Sequence, residues 1–216
     1  MIQLFHYPST ASMVPHILLR ELGVPFELVL VDRAREAHKS PEFLRLNPNG
    51  LFPVLVDGEQ VVYETAAIGL HLCDSHPQAG LAPAVGTRER SHFYQWLVWL
   101  TNTLQATLLV YFYPWRWVDL DNPLGAAQVK AHAEHRIGEL LDMLDTELAR
   151  RGGPWFLGEN FSLLDPYVFT LCRWTRHFEQ GAARERPHLG PHLARMLERP
   201  AVQAALAAED IEAPFV

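Results

Sequence analysis

The chain has 216 residues, 49% hydrophobic and 20% charged, with a formal net charge of −7, which suffices for one large domain or two small ones whose core needs no metal or crosslink. The acidic balance, with no run of lysines or arginines, leaves no electrostatic footprint for a phosphate backbone or an anionic membrane, so nucleic acid is not an expected partner. Two cysteines, Cys73 and Cys172, stand far apart in the sequence; they form neither a dithiol nor a zinc motif and read as buried apolar fillers.

Met1-Ile2-Gln3-Leu4-Phe5 enters a strand-like pattern at once, without the basic and long apolar regions of a secretory signal. Arg116, Asp119 and Asp121 interrupt the most aromatic segment, so no stretch is apolar across the width of a bilayer. A cytoplasmic, reducing compartment is the expectation. Strand patterns at 2–6 and 26–31 flank a helix over 12–22 that stops at Gly23, with Pro25 just beyond. A β-α-β unit of this kind predicts parallel strands. A loop over 32–40 leads to a short helix at 41–46 and then to Asn47-Pro48-Asn49-Gly50, which is turn chemistry. Apolar runs at 53–56 and 60–63, joined by Asp57-Gly58-Glu59, predict an antiparallel hairpin. Glu64-Thr65 then opens a third helix containing Ile68, Leu72 and Cys73.

Beyond Gly86 the strand patterns stop. Phe93, Trp96, Leu97, Leu100, Leu104, Leu108 and Tyr111 recur at three- and four-residue steps, as do Val129, Ala133, Ile137, Leu140, Leu141, Leu144 and Leu148, so two long core-facing helices are predicted. Residues 77–86, rich in Pro, Gly and Ala, link an α/β domain at 1–79 to an all-helical domain at 87–216. Phe161-Ser162-Leu163-Leu164-Asp165 is a capping box with aspartate in place of glutamate, and Phe161 and Pro166 are spaced for a hydrophobic staple.

Two stretches carry chemistry. In Asn47-Pro48-Asn49-Gly50-Leu51-Phe52-Pro53-Val54-Leu55 a proline begins a strand and deletes a ladder donor. A cis Phe52-Pro53 bond would expose the main chain of Phe52 to an extended peptide; a trans bond at a strand edge is the alternative. In Tyr7-Pro8-Ser9-Thr10-Ala11-Ser12-Met13 hydroxyls stand beside a helix N-terminus. They suit stabilisation of a thiolate, or simply cap the helix. Pairs such as His132 with His135, or His188 with His192, lack a third ligand, so no metal site is expected.

The order of a β-α-β unit, Asn47 to Leu55, the hairpin, Glu64-Thr65-Ala66-Ala67-Ile68, the capping box and Glu198-Arg199-Pro200-Ala201-Val202 resembles the cytosolic glutathione transferases over nearly the whole chain. The resemblance implies a thioredoxin-like first domain (βαβ-α-ββ-α) that binds glutathione. It implies that Pro53 is cis, that the main chain of Phe52 holds the cysteinyl part, and that Glu64 and Thr65 hold the γ-glutamyl end. Lys39 or His38 would reach the glycyl carboxylate. It implies a second domain with a pocket for an apolar electrophile, drawn from Tyr7, Met13, Gln105, Leu108, Tyr111 and Trp115, with Phe112, Tyr113 and Trp117 nearby. It also implies a homodimer.

The activating loop is similar to serine-type classes such as zeta, which points to Ser9 with Thr10 and Ser12 behind it. The surrounding Pro15-His16-Ile17-Leu18-Leu19-Arg20-Glu21 is similar to the bacterial beta class. Ala11 stands where that class has cysteine and Gln105 near its histidine, which removes a cysteine mechanism. Besides transfer to an electrophile, the resemblance leaves open a maleylacetoacetate-type isomerase, a glutathione-dependent disulfide reductase and a non-catalytic binding protein.

Overall fold

The computed structural model describes residues 1–178 and 181–216. The chain divides into two compact units, one of residues 1–83 with 195–215, the other of residues 84–194 with Val216.

The first unit is built on a four-stranded sheet in the order β2-β1-β3-β4. Strand β1 (Ile2–His6) pairs in parallel with β2 (Phe26–Leu30), Ile2 opposite Phe26, and antiparallel with β3 (Val54–Asp57), Phe5 opposite Val54. Between β1 and β2 runs α1 (Met13–Leu22), which ends on Gly23 in the left-handed conformation, as the C′ pattern predicts. The short α2 (Pro41–Leu46) is capped by the Ser40 hydroxyl, which accepts the Phe43 amide at 3.2 Å. Its Phe43 joins Val31 and Val54 in a small core against which Phe5 and Phe52 pack. Strand β4 (Gln60–Tyr63) closes the hairpin and α3 (Thr65–Ser75) follows directly. Met13 to Leu19 are all buried because α1 lies against β1, α3 and α9 (Pro200–Ala208). From sequence the last helix belongs with the helical domain; in the structure it packs on α1 instead, burying Val202, Ala205 and Leu206. Val202 and Leu206 each contribute about 1.5–3 kcal/mol, and the single methyl of Ala205 less.

The named elements of the second unit are all helices among the described residues. The first predicted long helix comprises α4 (Arg88–Trp99), a π-helical segment (Leu100–Gln105) and α5 (Ala106–Phe112). Phe93, Leu97, Leu100, Leu104 and Leu108 keep one buried stripe through the change of winding. The second long helix, α6 (Pro123–Arg151), buries Ala133, Ile137, Leu140, Leu141, Leu144 and Leu148 and packs on α5. Helix α7 (Leu164–Arg173) is buried from end to end, with Cys172 inside; burial pushes that thiol far above the usual range, against a weaker pull from Arg186, and makes it inert. Helix α8 (Leu189–Glu198) then leads to α9.

The capping box forms with one change. The Ser162 hydroxyl accepts the Leu164 amide at 3.2 Å, while Asp165 accepts the Ser162 amide at 2.7 Å. The ring of Phe161 lies 5.0 Å from that of Trp155. No described helix is long and apolar enough to cross a membrane.

Candidate glutathione site

The junction between β1 and α1 is a hydrogen-bonded knot of three residues. Thr10 Oγ1 donates to the Tyr7 carbonyl at 2.7 Å and lies 2.9 Å from Ser12 Oγ, which is itself 3.0 Å from the same carbonyl. A hydroxyl carries one proton. With both hydroxyls in reach of the Tyr7 carbonyl and of each other, their protons are taken up within the turn. Ser12 is also fully buried. Both hydroxyls are therefore tied into the turn ahead of α1, with neither accepting a helical amide, while Ser9 differs: it is partly exposed, its φ is +62°, and its amide donates to Glu209 Oε2 at 3.0 Å. A left-handed non-glycine residue is uncommon and points to an imposed conformation.

Glu209, just past the end of α9, is held from the other side as well. Its Oε1 lies 2.8 Å from His16 Nδ1, and both side chains are fully buried. Arg20 Nε donates to His16 Nε2 at 3.4 Å, which assigns the ring proton to Nδ1 and makes that nitrogen the donor to the carboxylate. The His6 ring lies 6.3 Å from that of His16, and burial holds His6 below its ordinary value against a partial upward pull from Glu209. Neither histidine nor Glu209 stands out by local pattern. The available signal for Glu209 was its sign: a carboxylate at a helix C-terminus opposes the dipole.

The second wall comes from the turn before β3. Asn47, buried, donates through Nδ2 to the Leu51 carbonyl at 2.7 Å and accepts the Asn49 amide at 3.0 Å. Gly50, at φ +62°, passes so close to the His38 carbonyl that a Cβ would sit 3.0 Å from it. The Phe52-Pro53 bond is cis. Among the described residues the N–H and C=O of Phe52 carry no hydrogen bond, which leaves them open to an added strand. Tyr7 leans on Phe52 with ring centroids 5.6 Å apart, so the hydroxyl loop and the Phe52 main chain are neighbours.

The third wall is the start of α3. Glu64 stands at its N-cap with φ +74° and ψ +120°, exposed, and Thr65 beside it is buried. A backbone this far from the usual regions costs about 1–3 kcal/mol and clusters at functional sites. The first helical bond runs from the Ile68 amide to the Glu64 carbonyl, so the amides of residues 65–67 precede the ladder and suit an anion.

Of the two candidates for a carboxylate, Lys39 is exposed and paired with Glu36 at 2.6 Å; an exposed pair of this kind is readily exchanged. His38 lies edge-on to Phe52, 6.4 Å between centroids. Arg33, not singled out from sequence, stands over the Tyr7 ring at 5.9 Å.

Met13 is fully buried in the first unit and Leu108 in the second, so both serve the cores. Gln105, at the end of the π segment, accepts the Tyr167 hydroxyl at 2.7 Å. Tyr111 stacks on Phe178 at 4.6 Å, and Trp115, exposed, meets Tyr113 at 5.4 Å. A separate apolar cavity of about 540 Å³ lies within the second unit between α5 and α6, walled by Ala106, Val110, Trp117, Val129 and Ala133. No cluster of three or more metal-ligating side chains occurs among the described residues.

Residues 1–74 match the family model for the glutathione S-transferase N-terminal domain and residues 101–200 that for the C-terminal domain. Glutathione S-transferase GstA of Escherichia coli O157:H7 is 30% identical over 214 residues, which is 98% of this chain and 100% of that protein. The structure of a sphingomonad glutathione S-transferase complexed with glutathione is 33% identical, with a TM-score of 0.82 over 97% of this chain and 100% of the other. A glutathione transferase homologue from sulfitobacter with bound glutathione gives a TM-score of 0.86 at 26% identity, over 98% of this chain and 99% of the other. With two domain models and full-length relatives in agreement with the fold, the chain belongs to the glutathione S-transferase family.

Proposed function

We propose that the protein is a glutathione transferase in which Ser9 activates the thiol. The observation that carries this reading is the contact of Tyr7 with Phe52, because it sets the unpaired Phe52 main chain beside the loop that holds Ser9. Glutathione fits the three walls chemically. Its cysteinyl peptide would pair with Phe52, and its γ-glutamyl carboxylate would meet the amides and hydroxyl at the start of α3. Its ammonium would meet Glu64, and Lys39 or His38 would take the glycyl carboxylate.

A free thiol is largely protonated at neutral pH and only its thiolate is strongly nucleophilic. Lowering its pKa by two units requires about 2.7 kcal/mol. A charge-assisted hydrogen bond from the Ser9 hydroxyl supplies about 1.5–3 kcal/mol, and the N-terminus of α1 adds up to about 1 kcal/mol. These two terms suffice without a general base. The thiol proton leaves to water and the sulfur forms a bond to the electrophilic carbon; either a leaving group departs with its electron pair, or a double bond is saturated as the adjoining carbon takes a proton back from water. Proximity and anion stabilisation are the rate terms.

Gln105, Tyr111 and Trp115 are the candidates for holding the apolar co-substrate, with Tyr7 at the edge of the glutathione site. The same reading extends to a metal-free, cytoplasmic homodimer, beta-like in overall sequence with a serine-type loop. The test is turnover of glutathione with a chlorodinitrobenzene-type substrate, run beside a maleylacetoacetate-type substrate and a glutathione mixed disulfide. Conjugation that falls in Ser9→Ala supports the reading. Turnover of the disulfide or the isomerisation substrate alone would replace it with a reductase or an isomerase.

A further inference from the structure

Glu209 is separated from Ser9 by 200 residues, yet its carboxylate accepts the Ser9 amide at 3.0 Å and faces His16 Nδ1 at 2.8 Å. The position is costly in two ways. A carboxylate just past the end of α9 opposes that helix's dipole, and full burial removes it from water. An apolar residue would fasten α9 to α1 at lower cost, as Val202, Ala205 and Leu206 already do. What the carboxylate provides that an apolar side chain cannot is an acceptor for a left-handed amide.

We propose that Glu209 is a positioning residue for thiol activation, holding the main chain of Ser9 in its left-handed conformation so that the hydroxyl is aimed at the glutathione sulfur. The proposal rests on Ser9 being the activating residue. The surrounding groups are arranged to keep the carboxylate directed at Ser9. Thr10 and Ser12 spend their protons on each other and on Tyr7, so they do not compete for Glu209. His16, its proton on Nδ1 and its Nε2 accepting from Arg20, occupies the second oxygen and leaves Oε2 for the Ser9 amide. Burial lowers the pKa of His6 against the pull of Glu209, which favours its uncharged form.

The test is a double-mutant cycle on the full chain, using glutathione with a chlorodinitrobenzene-type substrate. Bound-thiolate absorbance is titrated alongside, for the native protein, Ser9→Ala, Glu209→Ala and the double variant. Glu209→Ala is expected to raise the bound thiol pKa by about one unit and to lower kcat about tenfold, with a smaller change in the KM for glutathione. In the Ser9→Ala background the same substitution is expected to change neither quantity further, since the two residues act as a unit. A Glu209→Ala protein that melts earlier but titrates and turns over like the native one overturns the positioning role and leaves the Ser9 reading intact. A Ser9→Ala protein with unchanged titration overturns both. If Glu209→Ala does not fold, Glu209→Asp serves: its carboxylate is one methylene short of Ser9, so the thiol pKa should still rise, and an unchanged titration refutes the proposal.

Discussion

Two loop-to-helix junctions in this protein use similar residues to different ends. Ahead of α7, Ser162 and Asp165 satisfy the helix start locally, and Asp165 gathers the amides of Phe156 and Ser162 and the Nε2 of His192, at 2.7, 2.7 and 2.9 Å. Ahead of α1, Thr10 and Ser12 also serve the local turn, but the remaining residue of that loop, Ser9, takes its partner from the far end of the chain. A junction closed by its own sequence is a folding signal. One closed by a residue 200 positions away sets a conformation that the local sequence does not choose, and that is where the chemistry is proposed to lie.

The comparison can be broken most forcefully at α7. Asp165→Ala leaves three buried donors without an acceptor and should lower the free energy of unfolding by about 3–5 kcal/mol, read from denaturant titration; Asp165→Asn, which keeps one acceptor, should lose less. At α1 the expected effect is on rate and not on stability. Ser9→Ala should remove about 1.5–3 kcal/mol of anion stabilisation, an approximately tenfold to hundredfold fall in kcat/KM, with little change in melting temperature.

Thr10→Ala and Ser12→Ala should show the reverse, about 0.5–1.5 kcal/mol of lost stability, the net contribution of an intramolecular hydrogen bond, and a nearly native thiolate titration. A large rise of the bound thiol pKa in Ser12→Ala would erase the distinction between turn hydroxyls and activator.

The smallest expected effect concerns a third carboxylate, Glu147 on α6. Burial alone would raise its pKa, but hydrogen bonds from Arg150, Arg151 and His92 outweigh it and hold the group at about 2, below its ordinary 4.5. A depressed folded-state pKa means stability that is present above 4.5 and lost as the pH falls towards 2. Melting curves of Glu147→Gln should therefore lack part of the acid sensitivity that the native protein shows in that window.

The strands, the hairpin at Asp57-Gly58, the stop at Gly23 and the buried stripes of the long helices follow from patterns within about ten residues, and each was legible. The turn at 47–53 was legible too, though the cis bond needed the family resemblance to favour it. The π segment at Leu100–Gln105 was not, because the buried stripe reads the same at either winding. Among the candidate site residues, Ser9, Phe52, Pro53, Glu64 and Thr65 stand along the walls described. Met13 and Leu108 proved to be core, since a single stripe of apolar residues does not say which of them turns towards a ligand.

The sequence by itself determined the element order, the two kinds of domain and the hydroxyl-rich loop, since each depends on local periodicity, turn chemistry or capping. The tertiary structure alone decided that α9 packs on α1, that Glu209 holds Ser9, and that the protons of Thr10 and Ser12 are already used. Those outcomes depend on which distant groups are brought within hydrogen-bonding distance, and a short-range pattern carries no record of that.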